Sequence, residues 1–130
     1  MMSSTTHYKY YFPAFLWFVF ILFATLSSTS TLEVLNWKNF FSYDKPIHML
    51  LFGTQAYLVI RGADKNALTI NSKLNLVVCL LTALFGASIE YLQILLTSSR
   101  SFDYFDMLAN AIGALIAYFV IKRKFIKKAA

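Results

Sequence analysis

The chain has 130 residues, of which 58% are apolar, 18% aromatic and 14% charged, and its formal net charge is +6. Soluble domains have about 45–50% apolar and about 25% charged residues, so this composition excludes an ordinary soluble domain and favours a membrane protein. A single cysteine, Cys79, excludes an intramolecular disulfide. The length predicts one domain over residues 1–130.

Four apolar runs follow one another along the chain, at about residues 10–26, 46–60, 74–96 and 104–121. At about 1.5 Å per residue the third run extends about 34 Å, enough to cross a hydrocarbon core of about 30 Å. The second extends only about 22 Å and needs residues from its flanks. The first run follows Lys9 as a signal peptide would, but its aromatic bulk and lack of a small-residue cleavage site favour a retained anchor. The prediction is an all-α, four-helix transmembrane bundle.

Positive charge is unequal on the two sides of this predicted bundle. Nine Lys and Arg residues lie on the side of the two termini, and three lie on the other side: Lys38, Lys45 and Arg100. The positive-inside rule therefore puts both termini in the cytoplasm. Five of the cations follow the last run, where we expect them to contact anionic lipid headgroups and not nucleic acid: Lys122, Arg123, Lys124, Lys127 and Lys128.

Polar residues recur at helical spacing in the last three runs and beside them. On the second helix, Asp44, His48 and Gln55 lie within about 40° of one another at about 100° per residue. The third and fourth runs likewise carry polar residues on one face, with small residues that allow close packing. The predicted polar cluster, in the extracytoplasmic half of the bundle, comprises Asp44, His48, Glu90, Gln93, Arg100, Asp103, Asp106 and Asn110. The predicted packing residues are Gly86, Ala109, Gly113 and Ala117.

Glu90 carries the strongest indication of function in this set. It lies seven residues inside the end of its predicted helix. That is a depth of about 10 Å, where an ionised carboxyl needs a cation or several hydrogen-bond donors, or else must take up a proton. Arg100 is the first expected partner and His48 the second. Ionisable residues inside a membrane mark functional sites by default.

The other polar residues also have structural interpretations. Asp44, at the start of the second helix, is a natural N-cap. Asp103 and Asp106 resemble a capping box in which Asp replaces the usual Glu or Gln. Gln93 and Asn110 are candidates for hydrogen bonds between helices.

Four motifs in chain order resemble the signature of the VanZ-like membrane protein family: Asp44-Lys45-x-x-His48, Glu90-x-x-Gln93, Arg100-x-x-Asp103-x-x-Asp106 and Asn110-x-x-Gly113. The resemblance covers residues 44–117. It implies a small bacterial multi-pass protein of the inner membrane, associated with the cell envelope. The founding member of the family, which this chain resembles, is associated with low-level resistance to the glycopeptide teicoplanin. The resemblance supplies no catalytic residues, so the catalytic set stays unknown.

Four functions stay open at this point. The first is binding of an amphiphilic or lipid-linked molecule in an outer-leaflet polar pocket, through His48, Gln93, Arg100 and Asn110, with Glu90 fixing Arg100. The second is an intramembrane acid–base or metal-assisted enzyme acting on a lipid-linked substrate. The sequence has no metal motif such as H-E-x-x-H, and we assign no metal ligand and expect no cofactor. The third is an ion or proton path, which the apolar inner half disfavours. The fourth is a scaffold whose polar residues only lock the helices.

Overall fold

A computed structural model of the chain describes residues 7–27, 31, 34–36, 44–65, 72–97 and 101–129, with the side chains of Asp44 and of residues 125–129 excepted. A 3-10 turn, Tyr8–Tyr10, precedes helix α1, Phe12–Leu26. Three long helices follow: α2, Asp44–Lys65; α3, Ser72–Leu96; and α4, Tyr104–Ala129. No strand occurs in the described ranges. The prediction of an all-α protein is confirmed.

Two helices differ in length from the apolar runs that predicted them. Helix α2 has 22 residues, because it begins at Asp44 and continues past residue 60 to Lys65. Its length is therefore about 33 Å, against about 22 Å for the apolar run alone. Helix α4 likewise continues through the basic tail to Ala129. Lys and Arg are good helix formers, so the end of an apolar run does not end either helix.

Two of the helices are long and apolar enough to cross a membrane by length and composition: Ser72–Leu96 and Tyr104–Lys124. Helix α1 is apolar but shorter. Large apolar side chains cover the outward faces of these helices; Leu81 and Leu84 on α3 are 60% and 64% exposed, and Phe119 on α4 is 58% exposed. The apolar excess of the composition is thus carried on the surface of the protein and not only in its core.

Helices α2 and α4 form the closest pair, and their backbones touch at two glycines. A Cβ atom placed on Gly113 would collide with the carbonyl oxygen of Met49 and lie 2.8 Å from its Cα. A Cβ on Gly53 would lie 2.8 Å from the carbonyl oxygen of Gly113. Ala109 and Ala117, one turn of α4 on either side, are both buried. Small residues at this spacing let two helices approach to backbone contact.

Helix α1 packs against α2 and α3 through aromatic side chains. The indole N–H of Trp17 donates a hydrogen bond of 2.8 Å to the carbonyl of Leu51. Phe18 stacks on Phe85 of α3 with ring centroids 4.9 Å apart. Toward the other end of the bundle, the core is a separate apolar cluster: Ala56, Ile60, Cys79, Ala114, Ala117 and Ile121.

The contact at Gly113 gives a first prediction. Gly113→Ala adds one methyl group where α4 meets the carbonyl of Met49. We expect unfolding in detergent to become easier by about 1–3 kcal/mol, because the methyl forces the two backbones apart. In an open helix the same change would stabilise by up to about 1 kcal/mol, so the sign of the effect tests the contact. Leu115→Ala, at an exposed position two residues on, serves as the control. A raised or unchanged midpoint for Gly113→Ala contradicts the packing.

Candidate functional site

Four polar side chains from three helices meet in the interior near one end of the bundle. His48 comes from α2, Glu90 from α3, and Asp106 and Asn110 from α4. We call these four residues the polar cluster. Glu90 is 1% exposed and Asn110 is fully buried, while His48 and Asp106 are 3% and 6% exposed. Burial of this degree is unusual for ionisable groups and requires them to be matched by partners.

The imidazole of His48 lies at the centre of the polar cluster. Its Nδ1 atom is 2.8 Å from Oδ1 of Asn110 and 3.9 Å from Oε1 of Glu90. Its Nε2 atom is 3.8 Å from Oδ2 of Asp106. With the Asn110 oxygen as acceptor, Nδ1 carries the proton and Nε2 presents its lone pair on the side of Asp106. One ligand atom each from His48, Glu90 and Asp106 lie within 4.8 Å of one another.

Neighbouring residues hold this arrangement in place. The ring of His48 is parallel to that of Phe52, one turn along α2, with centroids 6.2 Å apart. Asn110 reaches α3 because residue 86 is glycine: a Cβ there would lie 2.6 Å from Nδ2 of Asn110. Gly86 was predicted to allow close packing of two helices. In the structure it leaves room for the polar side chain of Asn110.

Lys45 joins the polar cluster to the surface. Its Nζ atom lies 2.9 Å from Oδ2 of Asp103 and 3.3 Å from Oδ1 of Asp106. The pKa of Lys45 is raised, first by its hydrogen bond to Asp103 and further by Asp106. Asp103 also accepts a hydrogen bond of 2.8 Å from the backbone N–H of Phe105, so it caps α4 as predicted. The carboxylate of Asp106, the other half of the expected capping box, lies instead between Lys45 and His48.

Lys45 is the site residue that the sequence analysis missed, although it is part of the first motif. The spacing of Lys45 and His48 was a sequence signal for this role. The two residues are three apart, so on a helix they lie on adjoining parts of one face. A cation at that spacing from His48 was a candidate partner for the carboxylates of the neighbouring helices.

Gln93 forms a hydrogen bond between helices, but with a helix outside the polar cluster. Its side-chain amide donates a hydrogen bond of 2.7 Å to the carbonyl of Thr25, at the end of α1. Gln93 is buried and on the same face of α3 as Glu90, but this bond links α3 to α1. Arg100 lies outside the described residues, as does the side chain of Asp44. The pairing of Arg100 with Glu90 therefore stays a prediction.

The basic residues of the C-terminal tail lie on the last turns of α4, away from the polar cluster. Lys122, Arg123 and Lys124 are exposed. Nζ of Lys124 donates a hydrogen bond of 2.9 Å to the hydroxyl of Tyr57 and lies 4.9 Å from the centre of that ring. Lys127 and Lys128 belong to the same helix, but their side chains are not among those described.

An apolar groove lies between α2 and α4. It runs from Pro46 and Met49 to Tyr57 along α2, and from Gly113 to Val120 along α4. Its volume is about 430 Å³. The two glycines that bring the helices into contact, Gly53 and Gly113, also line it. Pro46, at one end of the groove, directly follows Lys45.

The chain matches a known protein family. The family model described as VanZ/LLP1 matches residues 3–127, which is nearly the whole chain. No curated protein and no solved structure matches the chain.

The hydrogen bond between Gln93 and Thr25 gives a second prediction. Gln93→Ala leaves the buried carbonyl of Thr25 without this donor, which should cost about 1–3 kcal/mol and loosen α1 from the bundle. We expect a lower unfolding midpoint together with faster amide hydrogen exchange in α1. Ser88→Ala is the matched control, because the exposed Ser88 hydroxyl bonds only to Leu84 of its own helix among the described residues. Equal and small effects of the two changes would contradict a linking role for Gln93.

Proposed function

The chain belongs to the VanZ/LLP1 family, and on that premise we propose that it is a multi-pass inner-membrane protein of the bacterial cell envelope. We further propose that it binds an amphiphilic or lipid-linked molecule. The polar cluster and Lys45 would receive the headgroup, and the apolar groove would receive the hydrocarbon part. The single observation that carries the proposal is that the groove is lined by Pro46 and Met49, the chain neighbours of Lys45 and His48 on the same helix.

Membrane residence is supported by the outward faces of the helices. Large apolar side chains are exposed along α1, α3 and α4, for example Phe15, Leu81 and Phe119. Water-soluble monomers rarely expose contiguous apolar surface on this scale, whereas lipid-facing helices require it. Helix α2 contacts α1, α3 and α4 and buries His48 and Gln55, so these two polar side chains face protein.

Recognition of an anionic headgroup is supported by the donors around the polar cluster. Lys45 is positively charged and partly exposed at the edge of the cluster. Asn110 is fully buried, and within the described parts of the chain its Nδ2 atom has no hydrogen-bond partner. An N–H donor held in this way is available to a phosphate or carboxylate oxygen. The carboxylate of Asp103 would keep Lys45 oriented.

The groove supports the apolar half of the proposal. From Lys45 to Tyr57 is twelve residues of helix, so the groove extends about 18 Å from the headgroup end. Its lining is almost entirely apolar, with Leu50, Ile116 and Val120 among the side chains. Binding sites for small amphiphiles are mostly apolar with a few polar groups that fix the orientation, and this combination has that character.

One observation favours the second candidate, an intramembrane enzyme acting on a lipid-linked substrate. An imidazole and two carboxylates come together from three helices, and one atom of each lies within 4.8 Å of the other two. These are the groups that act as general acids and bases in enzymes. His48 would be the base and Glu90 or Asp106 its orienting partner. Turnover of polyprenyl or phospholipid substrates by purified protein, lost in Glu90→Gln, would favour this candidate over simple binding.

The headgroup site gives a third prediction. We expect native mass spectrometry of gently extracted protein to detect a retained amphiphile with the wild type. We expect Glu90→Gln and His48→Ala to lose it, because each removes a partner from the polar cluster. Asp64→Asn is the matched control: it also neutralises a carboxylate, but an exposed one near the other end of α2. The same two cluster variants should change glycopeptide susceptibility in cells, while Asp64→Asn should not.

A variant in the groove tests the hydrocarbon part separately. Thr54 lines the groove, and Thr54→Trp should fill it and reduce the amount of amphiphile retained without altering the polar cluster. If the cluster variants retain as much amphiphile as the wild type does, the headgroup site is wrong. If Glu90→Gln and His48→Ala instead fail to fold while no ligand is detected with the wild type, the scaffold function is correct.

The proposed orientation gives a fourth prediction. The distribution of Lys and Arg puts both termini in the cytoplasm, and the Lys45 end of the bundle outside. A fluorescent protein fused after Ala130 should therefore be fluorescent, and alkaline phosphatase at the same position inactive. Phosphatase fused after Ser101 should be active. The reverse pattern would reject this orientation and would put the polar cluster on the cytoplasmic side.

A further inference from the structure

The polar cluster brings two carboxylates together in a buried place. Glu90 and Asp106 are 1% and 6% exposed, and each lies within 4 Å of the same imidazole. Two carboxylates beside one imidazole are ligands of the kind that divalent metal ions bind. At the edge of the cluster, Lys45 lies 3.3 Å from Asp106 and 2.9 Å from Asp103.

We propose that His48, Glu90 and Asp106 form a binding site for a divalent metal ion. Each offers one ligand atom, and the three atoms lie within 4.8 Å of one another. Ligand atoms about 2.0–2.2 Å from a tetrahedral ion lie about 3.3–3.6 Å from one another, so the side chains need to contract by about 1–1.5 Å. The negative charge of two carboxylates offsets the charge of one divalent ion.

The hydrogen bond of His48 to Asn110 is an independent indication of metal binding. Metal-binding histidines nearly always donate their second ring N–H to a carbonyl or carboxylate oxygen, which fixes the tautomer and the ring orientation. Nδ1 of His48 has such an acceptor in Oδ1 of Asn110, at 2.8 Å. In the neutral imidazole this bond leaves the lone pair of Nε2 on the side where Asp106 lies, 3.8 Å away. Oε1 of Glu90 is 3.9 Å from Nδ1, so the Glu90 side chain would turn toward Nε2 to bind the same ion.

The ligand set indicates which ion the site prefers. One imidazole nitrogen and two carboxylate oxygens form a mixed set, between the all-oxygen sites of Mg²⁺ and Ca²⁺ and the thiolate sites of softer ions. Cys79 lies in a different, apolar cluster near the other end of the bundle, so no thiolate joins the set. We therefore expect Zn²⁺ or Mn²⁺ to bind more tightly than Mg²⁺ or Ca²⁺.

Three protein ligands leave at least one coordination position for a further oxygen. The buried Nδ2 of Asn110, which has no hydrogen-bond partner among the described residues, belongs to the same cluster and would donate to that oxygen. A phosphate oxygen of the headgroup fits both requirements, and this last step rests on the proposed function. Metal binding itself does not, because it needs no amphiphile.

The test uses full-length protein, purified in detergent, delipidated and treated with a chelator. Zn²⁺ and Mn²⁺ are then added separately. Bound metal is measured by elemental mass spectrometry, and the midpoint of thermal unfolding is measured on the same samples. We expect the wild type to bind one ion per chain and to gain thermal stability. His48→Ala, Glu90→Gln and Asp106→Asn should each bind at least about tenfold more weakly. Asp64→Asn and His7→Gln are matched controls at exposed positions away from the cluster and should bind as the wild type does.

A measurement on the wild type alone covers the case in which a cluster variant fails to fold. In Mn²⁺-loaded protein, pulsed electron paramagnetic resonance should detect one histidine nitrogen bound to the metal, and His7→Gln should leave that signal unchanged. No metal uptake by the wild type, or uptake without a nitrogen signal, would overturn the proposal. So would folded cluster variants that bind metal as tightly as the wild type.

The outcomes separate the metal site from the proposed function. If the metal binds with the expected ligands but no amphiphile is retained, the metal site stands and the binding function fails. If the wild type retains the amphiphile after chelator treatment and takes up no added metal, the binding function stands and the metal site fails.

Discussion

The backbone contact between α2 and α4 is the constraint on which the rest of the structure depends. Gly113 lies against the carbonyl of Met49, so the two helix axes are as close as their backbones allow. His48 precedes Met49, and Asn110 lies one turn before Gly113 on α4. The 2.8 Å hydrogen bond between them is therefore a consequence of the glycine contact. A larger residue at position 113 would separate the helices and, with them, the imidazole from its amide partner.

The same contact determines how the third helix joins the site. Asn110 is held on the buried side of α4, and Gly86 leaves room for its amide against α3. Glu90, one turn further along α3, then comes within 3.9 Å of His48. Two glycines thus position the polar groups. Gly113 allows the backbone of α2 to approach α4, and Gly86 leaves room for the side chain of Asn110. A buried carboxyl is tolerated here because close packing brings its partners to it, and the cost of burying it would otherwise be several kcal/mol.

The sequence predicted which faces of the helices would be polar. It said less about which neighbouring helix each face would contact. Helical spacing correctly predicted that His48, Glu90, Asp106 and Asn110 would point inward, since it fixes direction around a single helix. It could not predict that Gln93, on the same face as Glu90, would bond to α1, because that depends on where α1 packs. The apolar runs also underestimated the lengths of α2 and α4. An apolar run marks only the apolar part of a helix, whereas the helix itself continues through Lys and Arg. Lys45 was passed over for a related reason: its partners, Asp103 and Asp106, are on another helix.

The two ends of the bundle are built differently, and this asymmetry bears on function. One end holds the buried ionisable groups, with Lys45 at its edge. Toward the other end, Ala56, Ile60, Cys79 and Ala114 pack together, and the Cys79 thiol donates to a backbone carbonyl. Gln55 and Asn75 are buried too, but among the described residues this apolar cluster contains no carboxylate or imidazole that would relay a proton beyond Glu90. A continuous path needs polar groups along its whole length, whereas a site for an amphiphile needs them at one end and an apolar surface beyond. The groove from Pro46 to Val120 supplies that apolar surface, so the asymmetry favours binding over transport.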